Sequence, residues 1–100
     1  MQPSPLADKT FIASIEQIEG QLDNVVNHGS DDELFIASYL QGHFAVIARP
    51  LEMNEEASLS LLDKTVTESL EQAFVNKELT PDDQAKVTAL WRRLIENART

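Results

Sequence analysis

The 100-residue sequence predicts an all-α fold of four antiparallel helices, set either as an up-down bundle or as two packed helical hairpins. Three observations carry that prediction. Apolar residues recur at spacings of three and four in four separate segments, as helices with one buried face require. Residues that cap helix starts precede the segments: Ser30, Asn54 and Thr80 stand before the second, third and fourth. No stretch alternates apolar and polar residues, the period of a half-buried strand.

Residues 1–7, with Pro3, Ser4 and Pro5, read as a flexible lead-in, and residues 8–100 as a single helical domain. The first helix is expected from Asp8 to His28. Phe11, Ile15, Ile18, Leu22 and Val25 form its apolar stripe, while Glu16, Glu19 and Asp23 fall towards water. Gly29 is the stop, since glycine takes positive φ at little cost. Ser30 and Glu33 have the spacing of a capping box and start the second helix. Ile36, Leu40, His43 and Ile47 line one of its faces, with Phe35, Tyr39, Phe44 and Val46 widening it. The other side offers only Ser38, Gln41 and Ala45, so this helix is expected at the centre of the domain, or at the centre and in a subunit interface. Gly42 costs it about 1 kcal/mol, a loss offset if a neighbouring helix approaches closely there. Pro50 is read as its end. Asn54, before Glu55 and Glu56, is read as the cap of the third helix, which buries Leu59, Leu62, Val66, Leu70, Ala73 and Phe74. After the break at "NKEL", Thr80 caps a fourth helix with Pro81 at its first position. Its buried face is Val87, Leu90, Trp91, Leu94, Ile95 and Ala98.

Composition narrows the function classes. The net charge of −9 opposes long-range attraction to nucleic acid or anionic lipid. Seven acids lie in the first fifty residues and ten in the second fifty, so no acidic tail stands apart. Without cysteine there is no disulfide, thiolate metal site or thiol nucleophile. The longest charge-free stretch, Leu34–Ala48, has fifteen residues and is too short to span a bilayer. The start "MQPSPLADK" lacks the basic and apolar run of a signal peptide, which leads to the expectation of a cytoplasmic protein.

Acids cluster in "SDDE", "NEE" and "TPDD", each read as a helix start. A carboxylate in a first turn gains about 0.3–1 kcal/mol from the helix dipole, so one mechanism covers all three clusters without a ligand. The alternative is a site for Mg²⁺ or Ca²⁺. In an up-down bundle the second and fourth helices start at one end, bringing Asp31, Asp32 and Glu33 near Asp82 and Asp83, with His28 alongside. His43 reads as a neutral core histidine tied to a carbonyl or hydroxyl, or else as a pH-sensitive or ligand-contacting one. Arg92, Arg93 and Arg99 complement the dipole of the last helix, with Arg92 able to pair with Glu96. Leu34 and Leu61 fall outside the main apolar faces, as lone exposed leucines or as part of a dimer contact. Ser30 beside His28 resembles a dyad, but Ser30 is needed as a cap.

The segments "SDDELF", "YLQGH" and "LEQAF…ELTPDDQAKVTALW" resemble the YfcL family over roughly residues 17–96. The resemblance implies a small, helical, bacterial protein with no assigned function, and it transfers no catalytic or binding residue. The "IARPLEMNEEAS" stretch departs from the family pattern. No cofactor is implied. The expected role is non-enzymatic, through a homodimer or an unidentified protein partner and not through nucleic acid or membrane. The alternative role is a divalent-cation-dependent binder or hydrolase working through the acidic end of the bundle.

Overall fold

In the structure, a computed structural model that describes residues 7–99, the order is α1 (Lys9–His28), α2 (Asp31–Glu52), α3 (Leu59–Val75) and α4 (Pro81–Arg99). Each start is capped by a side-chain oxygen. Asp8 accepts from the Thr10 amide, Ser30 from Glu33, Ser58 from Leu61 and Thr80 from Asp83. Residues 1–6 of the expected lead-in lie outside the described residues. Ala7 is buried, and its N–H donates to the Glu52 carbonyl at 3.0 Å, fixing the approach to α1 against the end of α2.

Cross-helix pairs give the direction of packing. Glu19 meets Arg49 and Asp23 meets Gln41, so α1 and α2 run antiparallel. Tyr39 meets Glu78 and His43 meets Ser69, which sets α3 antiparallel to α2. Asp32 with Lys86, and Phe44 with Trp91, place α2 and α4 side by side in the same sense. The order is up-down-up-down. One diagonal is closed: α2 packs on all three other helices, whereas α1 and α3 barely touch.

The core follows the expected faces of α1, α3 and α4. Phe11, Ile15, Ile18 and Leu22 of α1, Leu62, Val66 and Leu70 of α3, and Val87, Trp91, Leu94 and Ile95 of α4 belong to one buried cluster. Burying each such side chain contributes about 1.5–3 kcal/mol. In α2 the buried stripe is Ile36, Ala37, Leu40, Phe44 and Ala48, which differs from the expected face. His43 and Ile47 lie half-buried on its flank, and Phe35 and Val46 are exposed.

Four local expectations are corrected. Gly29 has φ −80°, and a Cβ there would lie 2.6 Å from the Val25 carbonyl oxygen, so glycine serves close approach instead of a positive φ. Helix α2 continues through Pro50 to Glu52. The proline's fixed φ is already helical, and its missing N–H deprives only the carbonyl of the solvent-exposed Val46. The next amides then turn tightly, Met53 onto Pro50 at 3.1 Å and Asn54 onto Leu51 at 3.0 Å. Asn54 does not open α3; its side chain accepts from the Glu56 amide at 2.9 Å in a turn that buries Ala57. The cap is Ser58, so Glu55 and Glu56 lie ahead of the helix and its first turn holds no acid. Finally, a Cβ on Gly42 would meet nothing within 4 Å among the described residues, so none of the described helices approaches closely there.

The α3–α4 connection has a stored cost. Lys77 has φ 61°, the left-handed region. Its N–H donates to the Phe74 carbonyl and that of Glu78 to the Ala73 carbonyl, the pattern of a Schellman stop that favours glycine. Lys77→Gly is expected to stabilise the fold by about 1 kcal/mol, raising Tm by about 4–8 °C. Calorimetry showing a lower Tm would contradict this backbone assignment.

Candidate functional site

The starts of α2 and α4 do come together, as an up-down arrangement requires. Between them lies the Lys86 ammonium, 2.8 Å from Asp32 Oδ2 and 3.5 Å from Asp82 Oδ2. The hydrogen bond to Asp32 raises the Lys86 pKa above the usual lysine value, against an opposing effect of burial. Glu33 is engaged by its cap: the Ser30 amide donates to its carboxylate at 3.0 Å, while its own amide donates to Ser30 Oγ at 3.3 Å. Those bonds, the backbone one first, hold the Glu33 carboxyl below the ordinary carboxylate range. Asp83 follows the Thr80 cap, His28 is the exposed last residue of α1, and the Asp31 side chain makes no hydrogen bond or ion pair among the described residues. No three His, Asp or Glu side chains converge there in a way that could hold a metal ion, among the described residues. A groove of about 370 Å³ opens beside Lys86, floored by Val25, Ile36, Ala89 and Leu90 and rimmed by Asp32, Glu33, Lys86 and Arg93. Two acids and two bases balance its rim. The signal for Lys86 was present in its four-residue spacing from Asp82.

A carboxylate not singled out in the sequence ties α3 to α4. Asp63 accepts from the buried Trp91 indole N–H at 2.8 Å, from Thr67 Oγ1 at 3.3 Å and from the Arg99 guanidinium at 3.4 Å. Arg99 also pairs with Glu96, the acid expected to pair with Arg92. Trp91 has one donor and no acceptor, so a buried tryptophan of this kind needs such a partner.

His43 sits on the α2–α3 seam with Nδ1 3.0 Å from Ser69 Oγ, and its ring lies 4.7 Å from that of Tyr39. A shallow pocket of about 360 Å³ runs past it, lined by Gly42, Val46 and Ile47. The Tyr39 hydroxyl donates to Glu78 at 3.0 Å. Burial, and then that bond to a carboxylate, push its pKa up to about 12. The His43–Ser69 pair sets an imidazole beside a hydroxyl, but no third side chain orients the imidazole through a hydrogen bond among the described residues.

The remaining candidate is the outer side of α2. Leu34 is exposed, as its position outside the apolar face suggested, whereas Leu61 is half-buried on α3. Phe35 and Val46, expected to widen the core, are 49% and 75% exposed on the same side of α2 as Ser38, Gly42 and Ala45. No charged side chain interrupts this surface from Leu34 to Ala48.

Fold and surfaces together define a small four-helix protein in which no described helix is long and apolar enough to cross a membrane. The profile of the YfcL protein family matches residues 11–96, and the chain belongs to that family. The match begins a few residues before the expected range of roughly 17–96 and takes in most of α1. The chain is similar to the uncharacterized protein YfcL of Escherichia coli (strain K12), with 42% identity over 89 residues, 88% of this chain and 97% of that protein. No solved structure matches.

Two tests follow from these contacts. Asp63→Ala leaves the Trp91 N–H buried without an acceptor and is expected to cost about 1–3 kcal/mol in chemical denaturation; an unchanged midpoint would refute the linkage. For Tyr39, the unfolded phenol ionises near 10 and the native one near 12. The native state thus holds its proton where the unfolded state has lost it, and this contribution is complete below about pH 10. Stability should fall as pH rises from about 10 to about 12, with a shallower slope in Tyr39→Phe.

Proposed function

We propose that this protein is a non-enzymatic cytoplasmic module that acts by protein contact through the outer face of α2. The observation that carries this reading is Phe35 at 49% and Val46 at 75% exposure on a fifteen-residue stretch without charge, in a chain of net charge −9. Large apolar side chains grouped on one charge-free surface mark an interaction site more often than scattered ones do. Charged residues are depleted from the centres of protein interfaces, and aromatic residues are enriched there. The acidic balance disfavours nucleic acid and anionic membranes as partners. Lys86, held between Asp32 and Asp82, already supplies the cation for the acidic end.

The test compares affinity-tagged wild type with Phe35→Glu and Val46→Glu in the host lysate. Both positions are exposed, so circular dichroism should report unchanged helicity. The expected result is a stoichiometric protein, either an untagged copy or another chain, retained by wild type and lost by both variants. Retention of the same proteins by all three chains would overturn the reading.

A further inference from the structure

We infer that the partner of this face is a second copy of the chain, with two α2 helices packed antiparallel about a two-fold axis near position 40. The inference rests on the protein-contact reading above and specifies its occupant.

Helical register favours this pairing. In an antiparallel pair related by a two-fold axis, a residue on one helix faces a residue on its partner that lies on the same side and equally far beyond the axis. Asp31 and Arg49 are eighteen residues apart, which is five turns at about 3.6 residues per turn, so they share one side of α2. They are also equidistant from position 40. In the pair, each Asp31 therefore meets the partner's Arg49, giving two opposite-charge contacts about 27 Å apart. The Asp31 side chain has no hydrogen bond or ion pair among the described residues. Arg49 reaches Glu19 and Glu52 yet keeps 56% of its side chain exposed.

The positions between the charges obey the same symmetry. Phe35 and Val46 are eleven residues apart, about three turns, and are centred near position 40; so are Leu34 and Ala45. Phe35 would pack on the partner's Val46, and Leu34 on the partner's Ala45. Ser38 and Gly42 flank the axis, where the backbones come closest. Nothing among the described residues would touch a Cβ at Gly42, so no described contact within the monomer requires its glycine. Close approach of a second α2 is the use for it. Two chains of net charge −9 repel, and the charge-free stretch of α2 is where that repulsion is weakest. A contact of one helix on another falls at or below the low end of specific interfaces, about 1,200 Å², so a weak, reversible dimer is expected.

Sedimentation of wild type, Asp31→Arg, Arg49→Asp and their equimolar mixture tests the pairing, with circular dichroism confirming folding. Wild type should show a monomer–dimer equilibrium. Each single variant places like charges at both ends, and its dimer Kd should rise about tenfold. The mixture should recover wild-type affinity as a heterodimer. At one end the introduced arginine of one variant then meets the introduced aspartate of the other, and at the other end the unchanged Arg49 meets the unchanged Asp31. Gly42→Ala should raise Tm by about 5 °C yet weaken the dimer, whereas Gly20→Ala, in an equally open helical position, should raise Tm and leave the dimer intact. A wild type that stays monomeric up to about 1 mM would overturn the inference. So would single variants that dimerise as wild type does, or a mixture that fails to recover. If wild type is monomeric while Phe35→Glu and Val46→Glu still shed a lysate partner, this pairing falls and the protein-contact reading stands.

Discussion

The architecture depends on a four-residue stride in α2. Ile36, Leu40, Phe44 and Ala48 are buried at successive steps of four. A helix turns about 100° per residue, so each step advances the stripe by about 40°, or about 120° from first to last. With Ala37 buried beside Ile36 as well, the helix presents a broad buried side, wide enough to meet more than one neighbour. This is how α2 packs on α1, α3 and α4 while α1 and α3 barely meet. A stripe in alternating steps of three and four would have held one direction and faced a single seam. The drift sets the flanks as well. His43 and Ile47, one position short of Phe44 and Ala48, stand at the edge of the core, which brings the imidazole within hydrogen-bond reach of Ser69 on α3.

Polar links secure the packing this stride begins. Asp63 accepts from both Trp91 and Arg99, joining the largest core side chain of α4 and the last turn of that helix to α3. Lys86 does the equivalent work at the opposite end, between the starts of α2 and α4. Both links pair one charge with several partners. At the Asp63 seam the neutral Trp91 N–H is the buried element, and an acceptor for it is worth more than an exposed ion pair.

Helices α1, α3 and α4 were legible in the sequence because charged residues mark their outer sides. Glu16, Glu19 and Asp23 leave no choice over which side of α1 holds Phe11, Ile15, Ile18 and Leu22, and the structure buries those four. The caps at Ser30 and Thr80 were equally plain, since each hydroxyl lies three residues before the amide it receives. Asn54 alone was read as the third cap, yet Ser58, four residues on, is as good a cap former by local sequence, and the structure uses it. Asn54 closes its own turn because Ala57 must reach the core, a tertiary demand. In α2 the face was not legible. The sequence carries both Ile36–Leu40–His43–Ile47 and Ile36–Leu40–Phe44–Ala48, and nothing charged marks the outside. Only the positions of three neighbours choose between them. The link from Asp63 to Trp91 was hidden for a related reason: the partners are 28 residues apart on separate helices.

The same missing charges bear on function. A lysine or glutamate at position 35, 38, 42 or 46 would have specified the buried stripe and solvated the opposite side, as charges do on the other helices. The sequence instead places Phe, Ser, Gly and Val there. The monomer leaves Phe35 and Val46 in water and spends helix stability on a glycine that no internal contact needs. These features are costs to the isolated chain, and all of them fall on one side of one helix. A second surface packed over that side reverses each: it removes apolar area from water, uses the absent Cβ and gives Asp31 a partner. The ambiguity met in reading α2 and the suitability of α2 as an interface thus have one physical origin, a helix with apolar surface to bury on more than one side.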